Sequence, residues 1–206
     1  MPTAVGFDLD MTLIDTRAGI AAVYDALADE TGVLIDSAVA TSRLGPPLEW
    51  ELAHWFPVED VPAMADRYRA LYPSLAIDGT LAMPGAREAL AAVRSQGDRV
   101  VVVTAKYAPN AQAHLDHLGL DVDALVGSHH GPAKGEALVA HGAGTYVGDH
   151  PDDVRGARAA GAVMVGVATG ASDEQALREA GADVVLADLT AFPVWWSVYR
   201  PGTAAG

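Results

Sequence analysis

Residues 98–105 read DRVVVVTA, four consecutive valines running from a charged start into a Thr-Ala end. A strand with one wet face alternates apolar and polar residues, whereas an unbroken β-branched run fills a parallel strand covered on both faces. Reading outward, similar short runs recur at VGFD (5–8), VDALVGS (122–128), TYVGD (145–149), AVMVGVA (162–168) and ADVVLAD (182–188). Between them lie stretches with helical spacing: GAREALAAVRSQG (85–97), PNAQAHLDHLGL (109–120), KGEALVAHG (134–142), PDDVRGARAAG (151–161) and SDEQALREAG (172–181). Several close on Gly, as helix C-termini commonly do. This alternation predicts an α/β fold, a Rossmann-like parallel sheet sandwiched by helices.

Residues 15–81 break the alternation. RAGIAAVYDALADETG (17–32) carries Ile20, Val23, Tyr24 and Leu27 at helical spacing. LEWELAHWF (48–56) and VPAMADRYRALYPSL (61–75) read as two more helices, with the Pro/Gly stretch RLGPP (43–47) breaking the block. The expected organisation is an α/β core of residues 1–14 and 82–206, with 15–81 inserted as a helical cap after the first strand. The tail FPVWWSVYRPGTAAG (192–206) is expected to pack its aromatics, Trp195 and Trp196 among them, and to end in disorder.

Composition limits the chemistry. The chain has 206 residues, half of them hydrophobic, and no cysteine, which excludes a disulfide framework and any thiolate ligand or nucleophile. A net charge of −14 argues against nucleic acid, where Lys and Arg on phosphates dominate binding. No apolar run is long enough to span a membrane, and the start MPTAVGFD lacks a basic, signal-like segment. A cytoplasmic location is expected. Nothing in the sequence fixes an oligomeric state.

In open α/β sheets, ligands bind beyond the carboxyl ends of the strands. Those ends carry Asp8 and Asp10, then Thr104, then Asp149 with Asp152 and Asp153; Lys134 opens a helix in GPAKGEAL (131–138). Two aspartates one residue apart raise the cost of ionising each other. A hard cation answers that cost, and carboxylate oxygens with few dedicated ligands suit Mg²⁺.

The pattern DLDMT (8–12), Thr104 after a hydrophobic strand, Lys134 and GDHPDD (148–153) resembles the four signature motifs of the haloacid dehalogenase-like hydrolases, and the helical insert resembles that superfamily's small cap. The resemblance implies a Mg²⁺-dependent phosphatase acting on a small phosphate monoester, similar to phosphoglycolate phosphatases. It implies Asp8 as nucleophile and Asp10 as acid and base. It also implies Thr104, Ala105 and Lys134 on the phosphoryl oxygens, Asp8, Asp149 and the Asp10 backbone carbonyl on the metal, and Asp153 in support. Arg43, in SRLGPPLEW (42–50), resembles a cap-loop residue that reaches the substrate. A phosphomutase, a 2-haloacid dehalogenase and a non-catalytic phosphate-binding protein stay open as alternatives.

Other residues are weaker candidates. Met11 stands where many members carry Gly, and is expected either to alter the turn or to project toward substrate. Lys106 reads equally as a phosphate contact or a solvated lysine. His129, His130 and His150 fall near the motifs, while His114 and His117 read as an ordinary pair one helical turn apart.

Overall fold

The computed structural model describes residues 3–199; the expected disorder at the end of the tail lies outside them. Strands β1 (Ala4–Phe7), β4 (Arg99–Val103), β5 (Ala124–Val126), β6 (Ala143–Gly148), β7 (Val163–Val167) and β8 (Val184–Leu186) form one sheet in the order β5-β4-β1-β6-β7-β8. Every pairing in it is parallel. The predicted fold class is the one observed, and all six runs are strands.

The valine run shows why. Val100 and Val102 join Val5, Phe7, Val147 and Val165 on one face, under α5 (Ala86–Ser95), α6 (Ala108–Leu118) and α10 (Phe192–Val198). Val101 and Val103 join Tyr146 and Met164 on the other, under α7 (Pro132–His141) and α8 (Pro151–Ala160). Each valine thus buries its side chain whichever way the pleat points it. At Gly6 a Cβ would collide with Leu138 and Tyr146, so a bare backbone lets α7 seat closely there. Helix α9 (Glu174–Ala180) completes the α/β alternation between β7 and β8. Trp196 is buried and stacks on Phe192, so this part of the aromatic tail belongs to the core.

A two-stranded antiparallel ribbon, β2 (Ile14–Asp15) with β3 (Leu81–Ala82), joins the two ends of residues 15–81, the segment expected as an insert. Its helices are α1 (Arg17–Thr31), α2 (Ser37–Thr41), α3 (Leu48–Leu52) and α4 (Val61–Leu75). They enclose a separate apolar cluster that includes Val23, Leu27, Leu52, Tyr68 and Tyr72. Truncating fully buried Leu27 to Ala costs about 2–5 kcal/mol. The helix expected over 48–56 is regular only to Leu52. The unexpected α2 is capped by Asp36, whose side chain accepts from Val39 N at 3.0 Å. No described helix is long and apolar enough to cross a membrane.

Candidate active site

Strand β1 is central, and β4 and β6 flank it, so three neighbouring strand ends deliver Asp8, Thr104 and Asp149 to one place. The Asp8 N–H extends the ladder to Val147 O at 2.8 Å. Beyond it the chain turns sharply, with Leu9 O accepting from Leu13 N (2.9 Å) and Ile14 N (3.1 Å). Met11 takes φ +59° in this turn, a conformation uncommon for any residue but Gly. Its side chain is buried and is not part of the cavity wall, while its carbonyl accepts from Thr169 Oγ1 at 2.5 Å.

The two opening aspartates occupy different electrostatic settings. Asp8 Oδ1 lies 3.0 Å from Lys134 Nζ, without the alignment of a hydrogen bond. The Asp8 carboxyl is pushed up to about 7 in all: burial raises it most, the Lys134 ammonium pulls against the rise, and Asp153 and Asp10 add to it. Asp10 accepts from Thr16 Oγ1 at 2.6 Å and pairs with Lys106 Nζ at 3.0 Å. Burial opposes the Asp10 charge as well, but Lys106 and Thr16 outweigh it and hold the carboxyl below its usual range. The like charges therefore do not share one counter-charge: each has its own lysine.

Asp149 extends the negative cluster. Its Oδ1 accepts from the buried Thr12 hydroxyl at 2.8 Å. Burial, then Asp153 and Asp8, push its carboxyl well above the usual range. Asp153 is fully committed, its Oδ1 taking Lys134 Nζ (2.6 Å) and Tyr146 Oη (3.2 Å) and its Oδ2 taking His150 N (3.0 Å). Asp8, Asp149 and Asp153 bring oxygens within 4.8 Å of one another. Gly170 borders this cluster, and a Cβ there would overlap Asp149 Oδ2. A backbone cradle at Gly170, a buried Asp8 Oδ1 that accepts no hydrogen bond and carboxylates whose ionisation is suppressed together fit a small hard cation such as Mg²⁺.

Above the carboxylates lies a cavity of about 230 Å³ between core and insert, small beside the few hundred Å³ of ordinary ligand pockets. Asp8, Asp10, Thr104, Ala105 and Lys106 form its core side, and Arg43, Arg69 and Tyr72 belong to the insert side. Lys134 lies beneath, against Asp8. Thr104 is buried and its Oγ1 accepts from Lys106 N at 3.2 Å. Arg43 reaches the cavity, but its Nε and Nη2 engage Glu51 at 2.9 and 2.5 Å.

Lys106 is not a solvated lysine: its side chain is 7% exposed, and Nζ also donates to Tyr72 Oη at 2.7 Å. Tyr72 meets His114 Nε2 at 2.9 Å, so His114 is a buried partner of the insert and not an exposed helical pair with His117. His130 lines the cavity, meets Asp152 Oδ2 at 2.7 Å and packs edge-on against Trp50 of α3. His150 caps α8, its Nδ1 accepting from Asp152 N at 3.1 Å. Sequence reading gave no role to Thr12, Thr16, Arg69 or Tyr72. Thr12 and Thr16, each a hydroxyl close after an aspartate, carried a local signal; Arg69 and Tyr72 reach the site only through the packing of the insert.

Residues 5–158 match the family described as haloacid dehalogenase-like hydrolase. A probable phosphatase of Dickeya dadantii is 32% identical over 90% of this chain and 90% of its own length. The phosphoglycolate phosphatase of Rhodospirillum rubrum is 31% identical over 98% of this chain and 94% of its own. A haloacid dehalogenase-like family hydrolase from Streptococcus pneumoniae superposes with a TM-score of 0.83 at 24% identity, over 95% of this chain and 98% of that one, which speaks to the fold. The chain belongs to the haloacid dehalogenase-like hydrolases, as an enzyme of that family whose relatives include phosphatases.

Proposed function

We propose that the enzyme hydrolyses a small phosphate monoester through a phosphoaspartate on Asp8, with Mg²⁺ bound, in the manner of a phosphoglycolate phosphatase. The observation that carries this reading is the split environment of two neighbouring carboxylates, Asp8 beside Lys134 and Asp10 clamped by Lys106 and Thr16. Groups so differently placed suit different tasks.

In the first step an Asp8 oxygen attacks phosphorus, the ester P–O bond breaks, and Asp10 gives its proton to the departing alkoxide. In the second, Asp10 takes a proton from water, whose oxygen attacks phosphorus and releases Asp8 and inorganic phosphate. The covalent intermediate divides one hard displacement into two easier ones. Lys106 keeps Asp10 ionised in the free enzyme, as its role as base requires; the charge of an arriving phosphate favours the protonated form that its role as acid requires.

Thr104, the Ala105 backbone and Lys134 are assigned to the phosphoryl oxygens. Asp8, Asp149 and the Asp10 carbonyl would hold Mg²⁺, and Asp153, committed to Lys134 and the α8 N-terminus, steadies the set. Bound there, Mg²⁺ offsets the negative charge of Asp8 and of the phosphoryl group.

Residues 15–81 are proposed to act as a cap over residues 1–14 and 82–206. Their separate apolar cluster, the β2–β3 ribbon and the Trp50–His130 contact support this division. Arg43 is proposed to contribute to the substrate wall together with Glu51. The test is phosphate release from an aryl phosphate and a panel of small monoesters, without any bisphosphate activator. Turnover is expected to vanish on chelation, return with Mg²⁺, and be absent in Asp8→Asn. Turnover by Asp8→Asn at the native rate would end the proposal.

A further inference from the structure

Among the described residues, Arg69, on α4, holds the cavity's one unfilled cationic edge. Three arginines elsewhere in the described chain, Arg17, Arg43 and Arg67, present Nε and Nη2 together to both oxygens of a carboxylate. Arg69 gives Glu49 only its Nη2, and its Nε is buried with no hydrogen-bond partner. Asp66, at 3.6 Å, faces Nη1 on the other side. A buried N–H left without an acceptor is costly unless a ligand supplies one.

The other cations of the described cavity wall are already engaged. Arg43 is paired with Glu51, and Lys106 with Asp10 and Tyr72. The Arg69 guanidinium lies 5.4 Å from the centre of the Tyr107 ring, three residues after Thr104, and lines the same cavity as Thr104 and Ala105. Glu49 is 43% exposed and free to swing into solvent, which would open the whole Nε–Nη2 edge. That edge matches a planar carboxylate with two parallel hydrogen bonds.

We propose that Arg69 is a specificity-determining residue that binds a carboxylate on the leaving-group side of the substrate, so that the preferred ester is a small phosphorylated hydroxy acid. This rests on the phosphatase reading above and names the residue that would select the substrate by its carboxylate. Binding of the carboxylate completes the half-used guanidinium edge within the cavity that Asp8 and Asp10 also line.

The test compares two esters of matched carbon number, 2-phosphoglycolate and ethyl phosphate, in the full chain with Mg²⁺. Wild type is expected to favour 2-phosphoglycolate in kcat/KM. Arg69→Ala and Arg69→Met, the latter keeping an aliphatic stem over Tyr107, should cut that preference roughly ten- to hundredfold, the range of a hydrogen bond to a charged group. Arg69→Lys should fall between, since it retains charge but not the fork. Equal losses on both esters, or no preference in wild type, would overturn the assignment. A second arm measures calorimetric binding of both esters to Asp8→Asn, with and without Arg69→Met. An Arg69-dependent preference there, with no turnover by wild type, upholds the carboxylate site and removes the phosphatase reading. Binding that ignores Arg69 removes the site whatever the turnover.

Discussion

Lys106 Nζ sits 3.0 Å from Asp10 Oδ1 and donates to Tyr72 Oη at 2.7 Å, so one buried ammonium ties the proposed acid and base to a helix of the insert. Burial works against the ammonium's charge, but Asp10 and Tyr72 raise its pKa and keep it protonated. Breaking a buried pair leaves the other charge uncompensated. Here the other charge is the group meant to move a proton, so the loss should be visible in chemistry as well as in stability.

Lys106→Met should lower unfolding stability by about 3 kcal/mol, the lower end for a broken buried pair because Thr16 still holds Asp10. Its kinetic mark is selective. An alkyl phosphate needs its leaving oxygen protonated and an aryl phosphate does not, so kcat should fall about tenfold more on the alkyl ester. Urea titration and paired steady-state assays read the two effects; equal kinetic losses on both esters would show that Lys106 does not act through Asp10.

Acid should weaken the fold through His114. Burial, then the nearby Lys106 charge, lowers its pKa from 6.5 to about 4; Asp10 pulls the other way and His117 adds to the lowering. The unfolded chain therefore binds the proton first, so stability is present above pH 6.5 and is lost as pH falls toward 4. Between pH 7 and 5 the loss from this group is about 2 kcal/mol. His114→Gln, which preserves a partner for Tyr72 Oη but does not titrate, should flatten the urea midpoint over that range. A slope identical to wild type would place the acid sensitivity elsewhere.

Gly170 tests the cation site without touching a carboxylate. A Cβ at this position overlaps Asp149 Oδ2, so Gly170→Ala must displace that side chain. The Mg²⁺ needed for half-maximal activity should rise about tenfold or more, as when outer contacts of a metal ligand are disturbed. Calorimetric Mg²⁺ titration should show the same weakening. Unchanged affinity would mean that Asp149 does not bind the ion.

The sheet was legible because a strand buried on both faces has to be apolar at every position, and Val100 to Val103 meet that demand in plain sight. The helices of the insert were less so. Helix α2 is a single short turn capped by Asp36, too brief for a periodic signal, and α3 stops at Leu52, short of the 48–56 that its sequence suggests. Asp8, Asp10, Thr104, Lys134 and Asp149 stood out because topology brings strand ends together in a fixed order. Nothing local told Lys106 from a surface lysine, or Arg69 from Arg67 on the same helix. Their roles arise where α4 meets the loop after β4, a juxtaposition made only by tertiary packing.

The sharpest prediction separates the two opening aspartates. Asp8→Asn should abolish turnover and covalent labelling together, since an amide is a far poorer nucleophile than a carboxylate. Asp10→Asn should keep the first displacement on an aryl phosphate, whose leaving group departs unprotonated, and lose the second, which needs a base to activate water. Phosphate should then accumulate on the enzyme. Acid quenching and mass measurement should find one added phosphoryl group, on the peptide that carries Asp8, while an alkyl ester labels poorly for want of a proton. The geometry supports this order: Asp8 lies against Lys134 and the Asp149–Asp153 cluster, and Asp10 is turned toward Thr16 and Lys106. A phosphoryl group found on Asp10, with Asp8→Asn still turning over, would exchange the two roles.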